Sequence, residues 1–252
     1  MYRFLLAPKW IAFHLLVLGG VVLMVGLGLW QLRRLDERQD FNAAVRASEA
    51  APMAELGRLL PPGAEPEPSL EWRPVTATGT YLPSDELRVF NRSQDGQAGD
   101  VVVTPLELAE GRVLLVARGF VPLGTTDVAA APDGVVSVTG RLRESQARQR
   151  GQPTDSDDTD DEIPRVDIAL LADRFDAELV PMYVELTSSS PAEAGPLPVP
   201  LRGPELTDGP HLSYAIQWFI FATCVALGWV LAVRHSLRSR REQGRARHAE
   251  SG

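Results

Sequence analysis

Cysteine is nearly absent from this chain. The one thiol, Cys224, lies inside an apolar run, so the 252 residues can form no intrachain disulfide and no Cys/His zinc set. Histidine is almost as scarce, with His14, His211, His235 and His248 the whole supply. No GxSxG, HExxH or P-loop pattern occurs, and without an acid, base and nucleophile set the chain is expected not to be an enzyme. Basic charge is missing from the middle of the sequence. Residues 1–30 carry two cations and no acids, residues 214–252 carry six arginines against two glutamates, and with a total of -8 the stretch between them stands near -14. A domain that acidic excludes nucleic acid as a partner, because phosphate contacts need clustered Lys and Arg.

Two long apolar runs stand at the ends. Trp10 to Trp30 holds 21 residues without a charge, and at the helical rise it spans about 31 Å, the thickness of a hydrocarbon core. It is too long for a signal-peptide core and ends in Trp30, Gln31, Arg33 and Arg34, so it reads as an uncleaved anchor. Tyr214 to Val233 is the second run, followed at once by Arg234, His235, Arg238, Arg240 and Arg241. Those cations mark a cytoplasmic side, which puts both termini in the cytoplasm of a protein embedded in the cell (cytoplasmic) membrane. Gly19, Gly20, Gly26 and Gly28 either let the two helices approach closely or only reflect the glycine frequency of membrane spans.

The fold expected is a membrane protein with two transmembrane α-helices flanking one small, β-rich α+β domain outside the cytoplasm. Residues 1–9 form the cytoplasmic N-terminus, 10–30 the first span, 31–213 the domain, 214–233 the second span and 234–252 a basic cytoplasmic tail. Leu35 to Leu60 predicts a helix broken at Pro52, and Pro61 to Pro68 a loop. Runs rich in Val, Thr and aromatics predict strands at 72–81, 87–92, 101–108, 112–122, 135–142 and 182–187, with Glu110-Gly111 as a tight antiparallel turn. Ile168 to Phe175 predicts a short helix, and Ser190 to Pro204, with five prolines, an extended return to the second span. Residues 151–162 are acid-rich without an apolar side chain, and predict a disordered surface loop. They lack the glycine and terminal Glu that an EF-hand calcium loop requires.

Among the histidines, His211 has the richest company. It precedes the second span and shares a helical face with Tyr214 and Trp218, at spacings of three and seven. Neutral imidazole with flanking aromatics in a semi-apolar place suits axial ligation of a haem iron, and it equally suits a polar helix start beside an aromatic belt. His14, one turn inside the first span, is expected to snorkel or to bond a backbone carbonyl.

Several blocks then occur in order: LGLWQLRRL at 27–35, GTY at 79–81, FNR at 90–92, GDVVVTPLEL at 99–108, VARGFVP at 116–122 and HLSYAIQWFIFA at 211–222. Together they resemble the Surf1 family of cytochrome c oxidase assembly proteins. The last block is the most specific, being similar to the family's histidine-leucine-x-tyrosine-alanine-x-glutamine-tryptophan-phenylalanine entry into the second helix. The chain departs from the family at Asp36-Glu37, where Trp-Lys is frequent, and at Asp208-Gly209-Pro210, where an Asn pair usually precedes the histidine.

The resemblance implies a factor that helps mature subunit I of a haem-copper oxidase, and a haem a site at the second helix. By match, His211 ligates the iron, with Tyr214, Trp218, Gln217, Trp30 and Gln31 around it and Arg33 or Arg34 toward the propionates. Implied partners are cytochrome c oxidase subunit I and haem a synthase or other assembly factors, besides the lipid bilayer. Arg92 and Arg118 are expected to be structural. A haem-free scaffold for assembly intermediates is the alternative. A copper chaperone is disfavoured, because copper transfer favours paired Cys or Met ligands.

Overall fold

A computed structural model describes residues 3–125, 128–148 and 161–250, with residues 3 and 243–250 described by backbone only. It divides into two units, Met1–Ala43 with Leu206–Gly252, and Ala44–Glu205. The first is built from α1 (Pro8–Glu49), as far as Ala43, and from α4 (His211–Glu250). Both are long and apolar enough to cross a membrane, and only 6% of each apolar window is buried, so neither is the core helix of a soluble protein. The chain is thus a membrane protein whose two transmembrane helices flank a β-rich domain in sequence.

The helices run well past the expected spans. No proline interrupts α1 after Trp30, and the Ala/Arg/Glu/Leu-rich stretch continues it to Glu49. There Ala51 N bonds Ser48 O at 3.1 Å and Pro52 prevents continuation. The break expected at Pro52 is therefore present, and beyond it the helix resumes only as the four-residue α2 (Leu56–Leu59). At the other end the basic stretch after Val233 is helical through Glu250, because it is made of good helix formers.

Within this unit α1 and α4 are antiparallel neighbours. A Cβ on Gly28 would lie 2.8 Å from the Phe219 ring, whereas Gly19, Gly20 and Gly26 have open space around them. Gly28 alone of the four is thus a close-approach glycine. On α4, Ala215 and Ala222, one heptad apart on either side of Phe219, are 1% and 5% exposed.

The second unit is a closed barrel. Strands β2 (Pro74–Tyr81), β6 (Val135–Glu144), β8 (Met182–Ser190), β5 (Val113–Pro122) and β4 (Gln97–Leu108) pair in that order, and β4 returns to pair with β2. β3 (Leu87–Gln94) extends the sheet beyond β4, with β1 (Ala54–Glu55) and β7 (Glu162–Ile163) as two-residue edges. One core fills the barrel, from Val75, Tyr81, Leu106, Leu114, Val138, Met182 and neighbours. A second lies outside it, where Val89, Val103 and Leu115 pack with Ile168 and Leu171 of the short helix α3 (Ile168–Leu171), at the start of the helix expected at 168–175. β5 feeds both cores, so its residues from Val113 to Val121 are all buried.

Strand positions match the periodicity closely, and the β4–β5 hairpin turns at Gly111, whose φ is +84°. The β3–β4 hairpin escaped the sequence reading. It turns through Asp95-Gly96, with φ of +55° and +75°, the two left-handed residues that a two-residue turn demands. Residues 151–160 of the expected acidic loop lie outside the described residues. Its last residue, Glu162, is in β7 instead, since Ile163 is 9% exposed and carries that segment into the outer core. The proline-rich segment 191–204 is extended as expected, and Val199 exchanges two backbone hydrogen bonds with Phe120.

Candidate functional site

His211 is the first residue of α4. The Pro210 carbonyl accepts from Tyr214 N at 3.2 Å and from Ser213 Oγ at 2.7 Å, which starts the helix here. His211 Nδ1 lies 2.9 Å from Gln31 Oε1 on α1. A carbonyl oxygen can only accept, so in this pairing Nδ1 is the donor, and in the neutral imidazole that tautomer leaves the lone pair on Nε2. Beside the ring stands Gly209, at φ +66°, where a Cβ would lie 3.5 Å from Nε2 and 3.4 Å from Cδ2. Glycine there serves a left-handed turn and keeps side-chain bulk away from the lone pair.

Of the residues expected around His211, the structure joins Gln31 to it. Tyr214 and Trp30 are 48% and 47% exposed, and Gln217 is exposed as well. Trp218 is half-buried, with its ring edge-on to Phe221 at 6.0 Å. Arg34 is engaged with Glu37 at 2.7 Å, which leaves Arg33 the less committed of the two expected arginines. Aromatic and imidazole groups along α4 thus present an open face rather than a closed cage.

His14 has another role than the one expected. Its Nδ1 accepts from Trp229 Nε1 at 2.8 Å, with the rings 5.7 Å apart and nearly perpendicular. That indole-to-imidazole bond couples α1 to α4 near one end, as Gln31 and His211 do near the other. A polar clamp also precedes α4: Asp208 accepts from Gln39 Nε2 at 3.1 Å and Asn42 Nδ2 at 3.2 Å, and Thr207 O accepts from Arg38 Nε at 3.1 Å. In the sequence Asp208 stands out only as a departure from the family pattern. Nothing local marks it as a partner of Gln39 and Asn42, since its bonds cross most of the chain.

A family model described as the SURF1 family matches residues 18–223. The chain belongs to the SURF1 family. An uncharacterized SURF1-like protein of Mycobacterium tuberculosis (strain ATCC 25618 / H37Rv) is 31% identical over 245 residues, covering 95% of this chain and 89% of that protein. A SURF1-like protein of Monosiga brevicollis is 27% identical over 230 residues, 84% of each chain. One from Rickettsia felis is 35% identical over 109 residues, 42% of this chain and 45% of its own. SURF1-family proteins are generally oxidase assembly factors and are not known as enzymes.

The SURF1-like blocks within the barrel form a structural set. Tyr81 and Arg118, from GTY and VARGFVP, meet inside it with the guanidinium 5.9 Å from the ring. Arg118 is 1% exposed, pairs with Glu86 at 3.0 Å and with Glu193, and donates to Ala129 O at 2.8 Å. Burial by itself would lower the Arg118 pKa, but Glu193 and Glu86 outweigh it and hold the guanidinium above its ordinary range. Burial raises the Tyr81 phenol, Glu193 adds to that, and Arg118 opposes it. With these partners all internal to the domain, one guanidinium bridging two carboxylates and a backbone carbonyl, Arg118 has the contacts of a structural residue.

Proposed function

We propose that this SURF1-family protein binds haem a through His211 and helps its insertion into subunit I of a haem-copper (cytochrome c) oxidase. The observation that carries the proposal is the setting of His211: Nδ1 lies 2.9 Å from Gln31 Oε1, and the residue beside the ring edge that carries Nε2 is a glycine, Gly209. Metal-bound histidines characteristically give their other ring N–H to an orienting acceptor, and Gln31 fills that place. His211 would hold the haem, whose iron would accept the imidazole lone pair.

The residues present fit such a group. Gln31 sets the tautomer and ring orientation, and Gly209 leaves the nitrogen accessible. Tyr214 and Trp218 follow on the same face and offer aromatic surface, while Arg33 offers a cation for a propionate. The exposure of Tyr214 and Trp30 agrees with a lateral site open to an apolar ligand in the bilayer. Both termini face the cytoplasm of the cytoplasmic membrane in this reading, with the β domain on the far side, where it meets subunit I, haem a synthase or other assembly factors.

The test is the optical spectrum and haem content of the detergent-purified protein after co-expression with haem a synthesis. Wild type is expected to carry a Soret band that His211→Ala loses. Gln31→Leu is expected to weaken haem retention about tenfold or more, as loss of an orienting partner does at metal sites. A folded wild type without haem sinks the carrier reading and leaves a haem-free scaffold.

A further inference from the structure

The β domain has a cavity of about 230 Å³ on the outer side of its barrel, between β3, β5, β8 and the chain segments around Gln146 and Leu201. One wall is apolar, with Ala117, Phe120 and Val166. Three charged side chains line it: Arg92, Glu185 and Arg202.

Two of these are already compensated. Glu185 pairs with Arg141 at 3.3 Å and with Arg143, and Arg202 pairs with Asp95 at 2.6 Å. Arg92 differs. It has no carboxylate partner among the described residues, and a single nitrogen, Nη2, makes both of its hydrogen bonds, to Gln146 Oε1 at 3.3 Å and Pro164 O at 3.1 Å. Those bonds steady the guanidinium while leaving Nε and Nη1 without an acceptor from the described residues.

The fold also turns Arg92 this way by a specific device. Between Val89 and Arg92 the β3–β4 register slips, with Asn91 left-handed at φ +56°. The bulge shifts the alternation by one residue and returns Arg92 to the face of Val89, so that both line the cavity. A polar residue able to adopt a left-handed backbone is placed where it aims a cation into a recess.

We infer that this cavity binds a carboxylate on a short apolar stem, with Arg92 as its recognition residue. A fork of free guanidinium donors matches a carboxylate, and the Phe120 wall suits an aliphatic stem. With Glu185 and Arg202 already paired, one guanidinium balances one negative charge, which suits a monoanion better than a dianion such as phosphate. The volume lies below the roughly 300–1,000 Å³ of pockets that enclose drug-sized ligands, so the bound group has few heavy atoms. It is either a free small carboxylate or the acidic side chain of a partner polypeptide. This site is independent of His211.

The test uses the full chain in detergent micelles and saturation-transfer NMR. The probes are butanoate, butanamide, and the acetylated, amidated tripeptides Ala-Glu-Ala and Ala-Gln-Ala. Butanoate or the Glu peptide should bind, their amide counterparts should not, and Arg92→Gln should weaken binding about tenfold, with Arg92→Lys in between. Tighter binding of butanoate marks a free carboxylate as the ligand class, and tighter binding of the Glu peptide marks a partner's acidic side chain. No binding by either acid, equal binding of acid and amide, or unchanged binding in a folded Arg92→Gln overturns the inference. If Arg92→Gln does not fold, the acid-against-amide comparison on wild type decides by itself.

Discussion

At Gly79 the missing side chain is what allows β2 to close against β4. The residue pairs with Leu108, and a Cβ there would lie 2.2 Å from the Glu107 carbonyl oxygen. Gly79→Ala is therefore expected to cost about 3 kcal/mol through forced strand separation, read as a lowered denaturant midpoint. A substitution that left the midpoint unchanged would refute the role of this glycine in closure. Gly119 is constrained in the same way, with φ +155° and the Val199 oxygen 2.3 Å from a would-be Cβ, beside the β5 bulge that carries Arg118. Tyr183 adds a pH effect. Burial pushes its phenol up to about 12, helped by Glu185 and Glu71 and opposed by Arg143. The fold favours the neutral phenol, so its contribution is complete below the unfolded value of about 10 and disappears as pH rises from there to about 12. Tyr183→Phe should flatten that part of the stability profile in urea unfolding across this range, at a fixed cost for the hydrogen bond from Gln146. Parallel profiles for the two proteins would contradict it.

Among the elements, the helix pair depends on few contacts, all of them specific. Gly28 against Phe219, His14 with Trp229 and Gln31 with His211 set the register of α1 on α4. In a bilayer such small-residue and polar contacts substitute for a hydrophobic drive that lipid tails remove. Gly28→Ile is expected to loosen the pair, whereas Gly19→Ile, with open space around it, should not. Paired thermal melts in micelles, followed by Trp fluorescence, measure this; equal effects at the two positions would refute a close approach at Gly28. The strands follow another logic, in which bulges at Asn91 and Arg118 rotate single arginines against the alternation of their neighbours.

For the whole molecule, the orientation proposed above rests on the arginines after Val233. The chain's single cysteine makes a direct test simple, because Cys224→Ser gives a thiol-free background. On it, Ser84→Cys in the β domain should react with a membrane-impermeant maleimide added to spheroplasts, and Arg241→Cys should react only after permeabilisation. The opposite pattern would invert the topology. Both positions are exposed, so burial does not confuse the result.

By themselves the residues determined the two spans, the β-rich domain between them and nearly every strand of the barrel. Apolar length and side-chain period are local properties, and Trp10 to Trp30 or Val113 to Pro122 declare them without any partner. Ordered blocks ending in HLSYAIQWFIFA also made the family legible, along with His211 as the residue to watch. Only the tertiary structure decided that Gln31 is the partner of His211, that Trp229 occupies His14, that Asp208 holds Gln39 and Asn42, and that β2 closes on β4 through Gly79. Each of these contacts joins residues far apart in the chain. Their energy depends on distances and angles that exist once the backbone is in place, and periodicity along one segment carries no record of them.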